Sequence, residues 1–138
     1  LIIHVLSGTL FLMSDRLFVS YFEGNTALGL YSVGAQVAMI AFIIQQSFNQ
    51  AWVPYLFKNL QSNSLKNNIK IVKVSYLVFI FFLILPFAIK LLSYPIFSFI
   101  IDAKFYESIQ YVFWIALGYS FLGMYKVVTN YIFYEKRT

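Results

Sequence analysis

Cysteine is absent from these 138 residues, histidine occurs once, and charged side chains make up 11% of the chain. Without thiols there is no disulfide scaffold, no thiolate metal site and no cysteine nucleophile. His4 alone cannot assemble a zinc site, so neither a metal nor any other cofactor is expected. Acids are scarce too: five against ten Lys and Arg, a formal charge of +5. Those basic residues are scattered between apolar runs and form no stripe for phosphates to follow, which argues against a nucleic-acid partner. There is no nucleophile elbow, phosphate loop or metal-ligand cluster, so the chain is not read as an enzyme. A soluble domain of this size needs roughly 25–35% charged residues to cover its surface.

What is abundant is apolar: 61% hydrophobic and 21% aromatic residues, with a mean hydropathy of +0.77. A bilayer supplies the missing solvent. At about 20 apolar residues per span, the composition suffices for about four helical spans with short connections. The front carries no basic n-region and no small-residue cleavage site, so it does not read as a cleavable signal. The chain starts at Leu1 and closes on Lys136-Arg137-Thr138 after an apolar stretch, and reads as a piece of a longer membrane protein.

The charge-free windows are Gly24–Phe57, Val74–Ile89, Leu91–Ile101 and Ser108–Tyr125. In lipid the backbone must satisfy its own polar groups, and the alternation of a barrel strand is missing. The expected fold class is therefore all-α: a polytopic transmembrane helix bundle over residues 1–138, with spans at 1–22, 28–52, 71–92 and 108–133. Glu23-Gly24-Asn25-Thr26 is a polar turn suited to a tight hairpin, with Gly24 free to take positive φ. Residues 58–68 read as a polar loop in water. The segment 94–107, interrupted by Pro95, reads as an interfacial half-turn or short amphipathic helix. Pro86 should kink the third span without ending it.

Orientation follows from the basic residues. Lys58, Lys66, Lys70, Lys73, Lys136 and Arg137 fall on one side and only Lys90 and Lys104 on the other. Six against two puts the 58–68 loop and the tail in the cytoplasm. Arg16, Lys126 and Asp15 then remain as ionisable groups inside spans.

Asp15-Arg16, Gly24, Ala27-Leu28-Gly29-Leu30-Tyr31-Ser32 and Phe48-Asn49-Gln50-Ala51-Trp52-Val53-Pro54 form a loose pattern. Together with Phe105-Tyr106-Glu107-Ser108 and Asn130-Tyr131-Ile132-Phe133-Tyr134-Glu135-Lys136-Arg137-Thr138, it resembles the polysaccharide-flippase branch of the multidrug/oligosaccharidyl-lipid/polysaccharide exporter superfamily. The likeness is to O-antigen (Wzx-type) flippases, which serve lipopolysaccharide biosynthesis. It covers nearly the whole chain and is silent on which glycan is carried. It implies a transporter of twelve to fourteen spans in two lobes, in which these residues form about spans seven to ten, part of one lobe. The implied partners are the bilayer, the remaining transmembrane helices and a lipid-linked oligosaccharide. The implied activity is flipping undecaprenyl-pyrophosphate-linked oligosaccharide across the bacterial cytoplasmic (inner) membrane by alternating access.

Under that resemblance several residues become candidate substrate contacts. Ionisable groups within a span cost at least ~2.5–3.5 kcal/mol each at its centre and seldom persist without a role. Arg16 offers a planar fork for a phosphate, and Asp15 a carboxylate that orients it or titrates; the alternative is a salt bridge to a helix outside this chain. Lys126 lies about 15 Å from Lys136 along the helix, on a face with Tyr119, Gly123, Thr129 and Asn130. It reads either as a cation for pyrophosphate or as the partner of Asp15. Ser32, Gln36, Ser47 and Gln50 fall within about 60° of one another, opposite Gly34, Ala38 and Ala41. The polar stripe faces either a transport cavity or neighbouring helices; the small-residue stripe suits close helix packing. Trp52, Trp114, Tyr94 and Tyr111 read as interfacial belt residues. His4 shares a face with Gly8 and Asp15 and reads as structural or as part of a proton path. Two rivals stand beside the flippase: a multidrug/cation antiporter of the same superfamily, which would want carboxylates in its cavity, and a non-transporting scaffold for polysaccharide assembly.

Overall fold

The computed structural model describes residues 2–62 and 64–135, with side chains from Ser14 onward. Helices α1 (Ile2–Gln61), α2 (Leu65–Phe99) and α3 (Ile109–Glu135) run in that order, with a 3₁₀ turn at Ala103–Ser108 before α3. Three stretches are long and apolar enough to cross a membrane: Ser14–Gln61, Leu65–Phe99 and Ala103–Glu135.

α1 is not one rod. Gly24 sits at φ 80°, ψ 176°, a combination essentially reserved for glycine, and the helix breaks there. Tyr31 Oη donates to Asp15 Oδ2 at 2.5 Å across sixteen residues, which a straight helix would hold about 24 Å apart. The two arms, 2–23 and 25–61, therefore double back on one another, as the polar turn led us to expect. Ser20 Oγ donates to Asn25 Oδ1 across the bend at 3.1 Å.

Elsewhere helix replaces expected loop. The second arm of α1 continues through Pro54 to Gln61, and α2 begins at Leu65, so most of the expected 58–68 loop is helix. The polar residues there close the helix ends: Asn59 Nδ2 donates to the Tyr55 carbonyl at 2.8 Å. Ser62 Oγ donates to the Asn59 carbonyl and accepts from Asn67 Nδ2, both at 2.6 Å. Ser and Asn compete with a helix in its interior but complete it at its ends. α2 likewise passes through Pro86 and Pro95 to Phe99, so only the second half of the 94–107 segment leaves the α-helix. Each proline removes one N–H, and neighbouring helices restore enough contacts to keep the rod continuous. The Asp102 carboxylate caps the 3₁₀ turn by accepting from the Lys104 amide at 3.1 Å.

The core lies where α3 packs between α1 and α2. Ala38, Ala41, Leu56, Phe82, Phe97, Val112 and Ala116 are fully buried, so the expected small-residue stripe does face another helix. Gly34 approaches so closely that a Cβ there would stand 2.7 Å from the Ser108 carbonyl oxygen. At Gly123 a Cβ would meet Phe82 Cζ at 2.9 Å. Outside the core, Phe81, Leu83, Ile84 and Phe87 of α2 stand exposed, a surface suited to lipid and not to water. Trp114 is 69% exposed, in keeping with a belt residue, but Trp52 is 3% exposed, stacked on Phe48 in the core. Trp52 is therefore not an interfacial anchor. Tyr111 is half-buried against Tyr31.

Candidate functional site

Two places gather polar groups among the apolar helices. The first is a crevice of about 580 Å³ between the folded-back arms of α1 and the middle of α3, lined by Asp15, Arg16, Tyr31, Gly118, Tyr119 and Tyr125 among others. The Gly24 break makes it, because only the reversal brings Asp15 beside Tyr31. The carboxylate is engaged twice: Oδ2 accepts from Tyr31, and Oδ1 accepts from the backbone amide of Arg16 at 2.7 Å. Among the described residues the ion pair within 4.0 Å is Lys104 with Asp102, at 3.8 Å, so the Arg16 guanidinium keeps no carboxylate partner. Gly118 has open space where a side chain would stand, which leaves room in the wall between the tyrosines.

The second place is a seam between α1 and α3. Lys126 Nζ donates to Gln46 Oε1 at 2.7 Å, and one turn on Asn130 Nδ2 donates to Asn49 Oδ1 at 2.8 Å. Residues i and i+4 of α3 thus meet i and i+3 of α1, the spacing that aligned helices present to each other. Gln45 lies beside them, fully buried against Gly123, with neither end of its amide paired. The Trp52 indole N–H is also buried without an acceptor. A mid-helix amine held by a neutral amide has no carboxylate partner of its own among the described residues.

Asp15 and Lys126 do not pair. Their partners, Tyr31 and Gln46, stand fifteen residues apart on the same arm, about 22 Å of helix, beyond the reach of both side chains. Counting Asp15 inward from Glu23 and Lys126 inward from Lys136 puts them at similar depth, and their partners on α1 show that they are not.

The stripe of Ser32, Gln36, Ser47 and Gln50 turns away from α3. Gln36, Ser47 and Gln50 are exposed and Ser32 half-buried. Gln36 lines a separate groove of about 480 Å³ with Asp102 and Phe105. The structure therefore unites Asp15 with Arg16 and Lys126 with Asn130, and separates both pairs from this stripe. Sequence reasoning missed Tyr31, Gln45, Gln46 and Asn49. The signal for Gln45, Gln46 and Asn49 was the polar density of 45–50 in an otherwise apolar window, of which choosing one stripe discarded the buried side; Tyr31 carried no such signal. His4 lies outside the described side chains.

No family model matches the chain, and no solved structure matches it. The chain is 27% identical over 134 residues to a Haemophilus influenzae protein described as "Lsg locus putative protein 1", covering 97% of this chain and 33% of that protein. It is 29% identical over 125 residues to a second Haemophilus influenzae protein, described as an "uncharacterized membrane protein", covering 90% of this chain and 30% of that protein. The chain thus spans about a third of the length of the curated relatives it matches. Three helices long and apolar enough to cross a bilayer, a lipid-suited surface and the likeness to a protein described as a membrane protein give this chain the character of a membrane protein.

Proposed function

We propose that this chain is part of a multi-pass transporter in the bacterial cytoplasmic membrane. Its cargo is undecaprenyl-pyrophosphate-linked oligosaccharide, flipped between leaflets by alternating access. The observation that carries the reading is the state of the two in-span cations: Arg16 faces a crevice without a carboxylate partner, and Lys126 leans on the neutral amide of Gln46. Cations beside apolar helices that form no ion pair within 4.0 Å among the described residues attract an anion, even with Asp15 lining the crevice of the exposed Arg16. A pyrophosphate supplies that charge; the exposed Gln36, Ser47 and Gln50 lie on a separate face and are not part of that site. The four-segment hairpin arrangement and the six-to-two bias of basic residues agree with four crossings inside a larger protein.

A cation antiporter is the second reading, favoured by the carboxylate of Asp15 in the same crevice. Full-length protein with Arg16→Ala or Lys126→Ala should lose surface polysaccharide while staying in the membrane at near-normal amounts. Asp15→Asn should leave export largely intact. Normal export by both alanine variants overturns the flippase reading; loss of drug or dye efflux in Asp15→Asn alone supports the antiporter.

A further inference from the structure

Between the C-terminal end of α2 and the N-terminal end of α3 a pocket of about 620 Å³ is lined by Lys90, Tyr94, Tyr106, Glu107 and Gln110 among others. It belongs to neither polar place described above. A cation and a carboxylate line it together, yet among the described residues these two form no ion pair within 4.0 Å. Each is placed on its own wall. Lys90 Nζ stands 5.5 Å from the centroid of the Phe113 ring, a cation–π contact that positions the ammonium and gives it no hydrogen-bond acceptor. Glu107 belongs to the 3₁₀ turn, which is docked by the Tyr106 ring against the buried Phe97 of α2, with centroids 6.3 Å apart. Among the described residues no hydrogen bond engages the Tyr94 or Tyr106 hydroxyl or the Gln110 amide.

Toward the middle of the bundle the pocket gives onto apolar surface. Phe87, Lys90 and Tyr94 recur at i, i+3 and i+7 on one face of α2, and Gln110 and Trp114 at i and i+4 on one face of α3. One turn inward from the charged groups the two antiparallel helices meet through the Phe87–Phe113 edge contact, at 5.0 Å. Phe87 and Trp114, both exposed, therefore lie on the bilayer-core side of Lys90 and Glu107. A lone anion in the pocket would be repelled by Glu107 and a lone cation by Lys90, whereas a ligand with both charges on a short link satisfies both walls. With apolar surface leading away from the charges, the matching ligand is a zwitterionic phospholipid. The carboxylate narrows the choice: a primary ammonium donates N–H bonds to it, and a quaternary choline has none to give.

We infer that this pocket binds the headgroup of a phosphatidylethanolamine, with its phosphate at Lys90 and the tyrosine hydroxyls, its ammonium at Glu107 and Gln110, and its chains along Phe87 and Trp114. Such binding is independent of the cargo proposed above.

The test uses full-length protein in phosphatidylcholine vesicles containing a minor fraction of chain-brominated phosphatidylethanolamine, phosphatidylglycerol or phosphatidylcholine. Trp114 reports from beside the pocket, its share of the emission taken as the difference from Trp114→Phe. Brominated phosphatidylethanolamine should quench Trp114 several-fold more than either other lipid, and the excess should shrink with each methyl group added to its ammonium. Glu107→Gln and Lys90→Gln should each remove most of that excess. Lys104→Gln, at the same end of the bundle but paired with Asp102 and outside the pocket, should leave it intact. Four results overturn the proposal: no quenching of Trp114 by any of the lipids, which means that protein covers the pocket; equal quenching by all three, which is ordinary lipid contact; an excess that survives loss of the Glu107 or the Lys90 charge; and an excess lost equally in Lys104→Gln, which is diffuse attraction.

Discussion

α3 is held by two seams built on different physics. Toward α1 it makes side-chain hydrogen bonds, Lys126 to Gln46 and Asn130 to Asn49, beside a row of small residues. Toward α2 it is mostly dry: Phe82 seats on Gly123, Phe87 meets Phe113 edge-on at 5.0 Å, and the Ser75–Tyr131 hydroxyl pair is the polar exception. Lipid tails are as apolar as leucine, so no hydrophobic gain separates a helix pair from a lipid-bathed helix. Shape must hold the α2 seam, and polar groups that lipid cannot satisfy must hold the α1 seam. The first should fail by steric misfit, the second by loss of a single partner and, where Gly34 of α1 meets the Ser108 carbonyl, by steric misfit as well.

Glycine substitutions press hardest on this contrast. Gly34→Ala places a methyl against the Ser108 carbonyl, which is backbone and cannot swing aside. It should cost about 3 kcal/mol, the upper end for overpacking, and lower the thermal unfolding midpoint in mild detergent by several degrees. Gly123→Ala meets the far end of the Phe82 ring and should cost about 1–2 kcal/mol, recovered in part by Phe82→Leu. Gly29→Ala, with open space around it, should be neutral or slightly stabilising. Equal losses at 34 and 29 would mean that steric fit does not hold the bundle.

The next effect belongs to the amide seam. Gln46→Leu strips the Lys126 ammonium of its acceptor and should cost about 1–3 kcal/mol. The double variant with Lys126→Met should recover most of that loss, a coupling measurable by a double-mutant cycle in the same unfolding assay. Without recovery, the hydrogen bond at 2.7 Å carries no weight.

A third cycle compares the two in-span groups of opposite charge. Asp15→Asn and Lys126→Met should add without coupling, because their partners lie fifteen residues apart along α1. A coupling above about 0.5 kcal/mol would bring the two sites together after all.

The smallest difference is between neutral pairs. Asn49→Ala and Ser75→Ala should each cost about 0.6 kcal/mol, the average for hydrogen bonds between helices in lipid. If Ser75→Ala costs markedly more, the α2 seam depends on its hydroxyl pair and the contrast between the seams narrows.

Much of the fold was legible in the sequence. Gly24 in a polar turn announced the reversal, and Gly34, Ala38 and Ala41 announced a helix-packing face; both follow from local rules of backbone freedom and side-chain size. The helix ends were less legible. Residues 58–61 read as polar loop and 94–99, with Pro95, as an interfacial half-turn or short amphipathic helix, yet they continue the long helices because end carbonyls can be met by Ser and Asn side chains and because a proline removes only one donor. Of the candidate site, Asp15, Arg16 and Lys126 were identified by their cost in lipid. Their partners were not, because Tyr31, Gln46 and Asn49 are unremarkable residue types whose role depends on what stands opposite.

By itself, then, the sequence determined that the chain is helical and apolar enough for a bilayer, and where it reverses. These are properties of single residues and of their periodicity along one helix. Only the tertiary structure decided that Asp15 answers to Tyr31, that Lys126 answers to Gln46, and that Trp52 is buried. Each of those depends on the relative register of two helices, and register is set by where glycine and alanine let backbones approach, a sum over both partners that neither stretch of sequence contains alone.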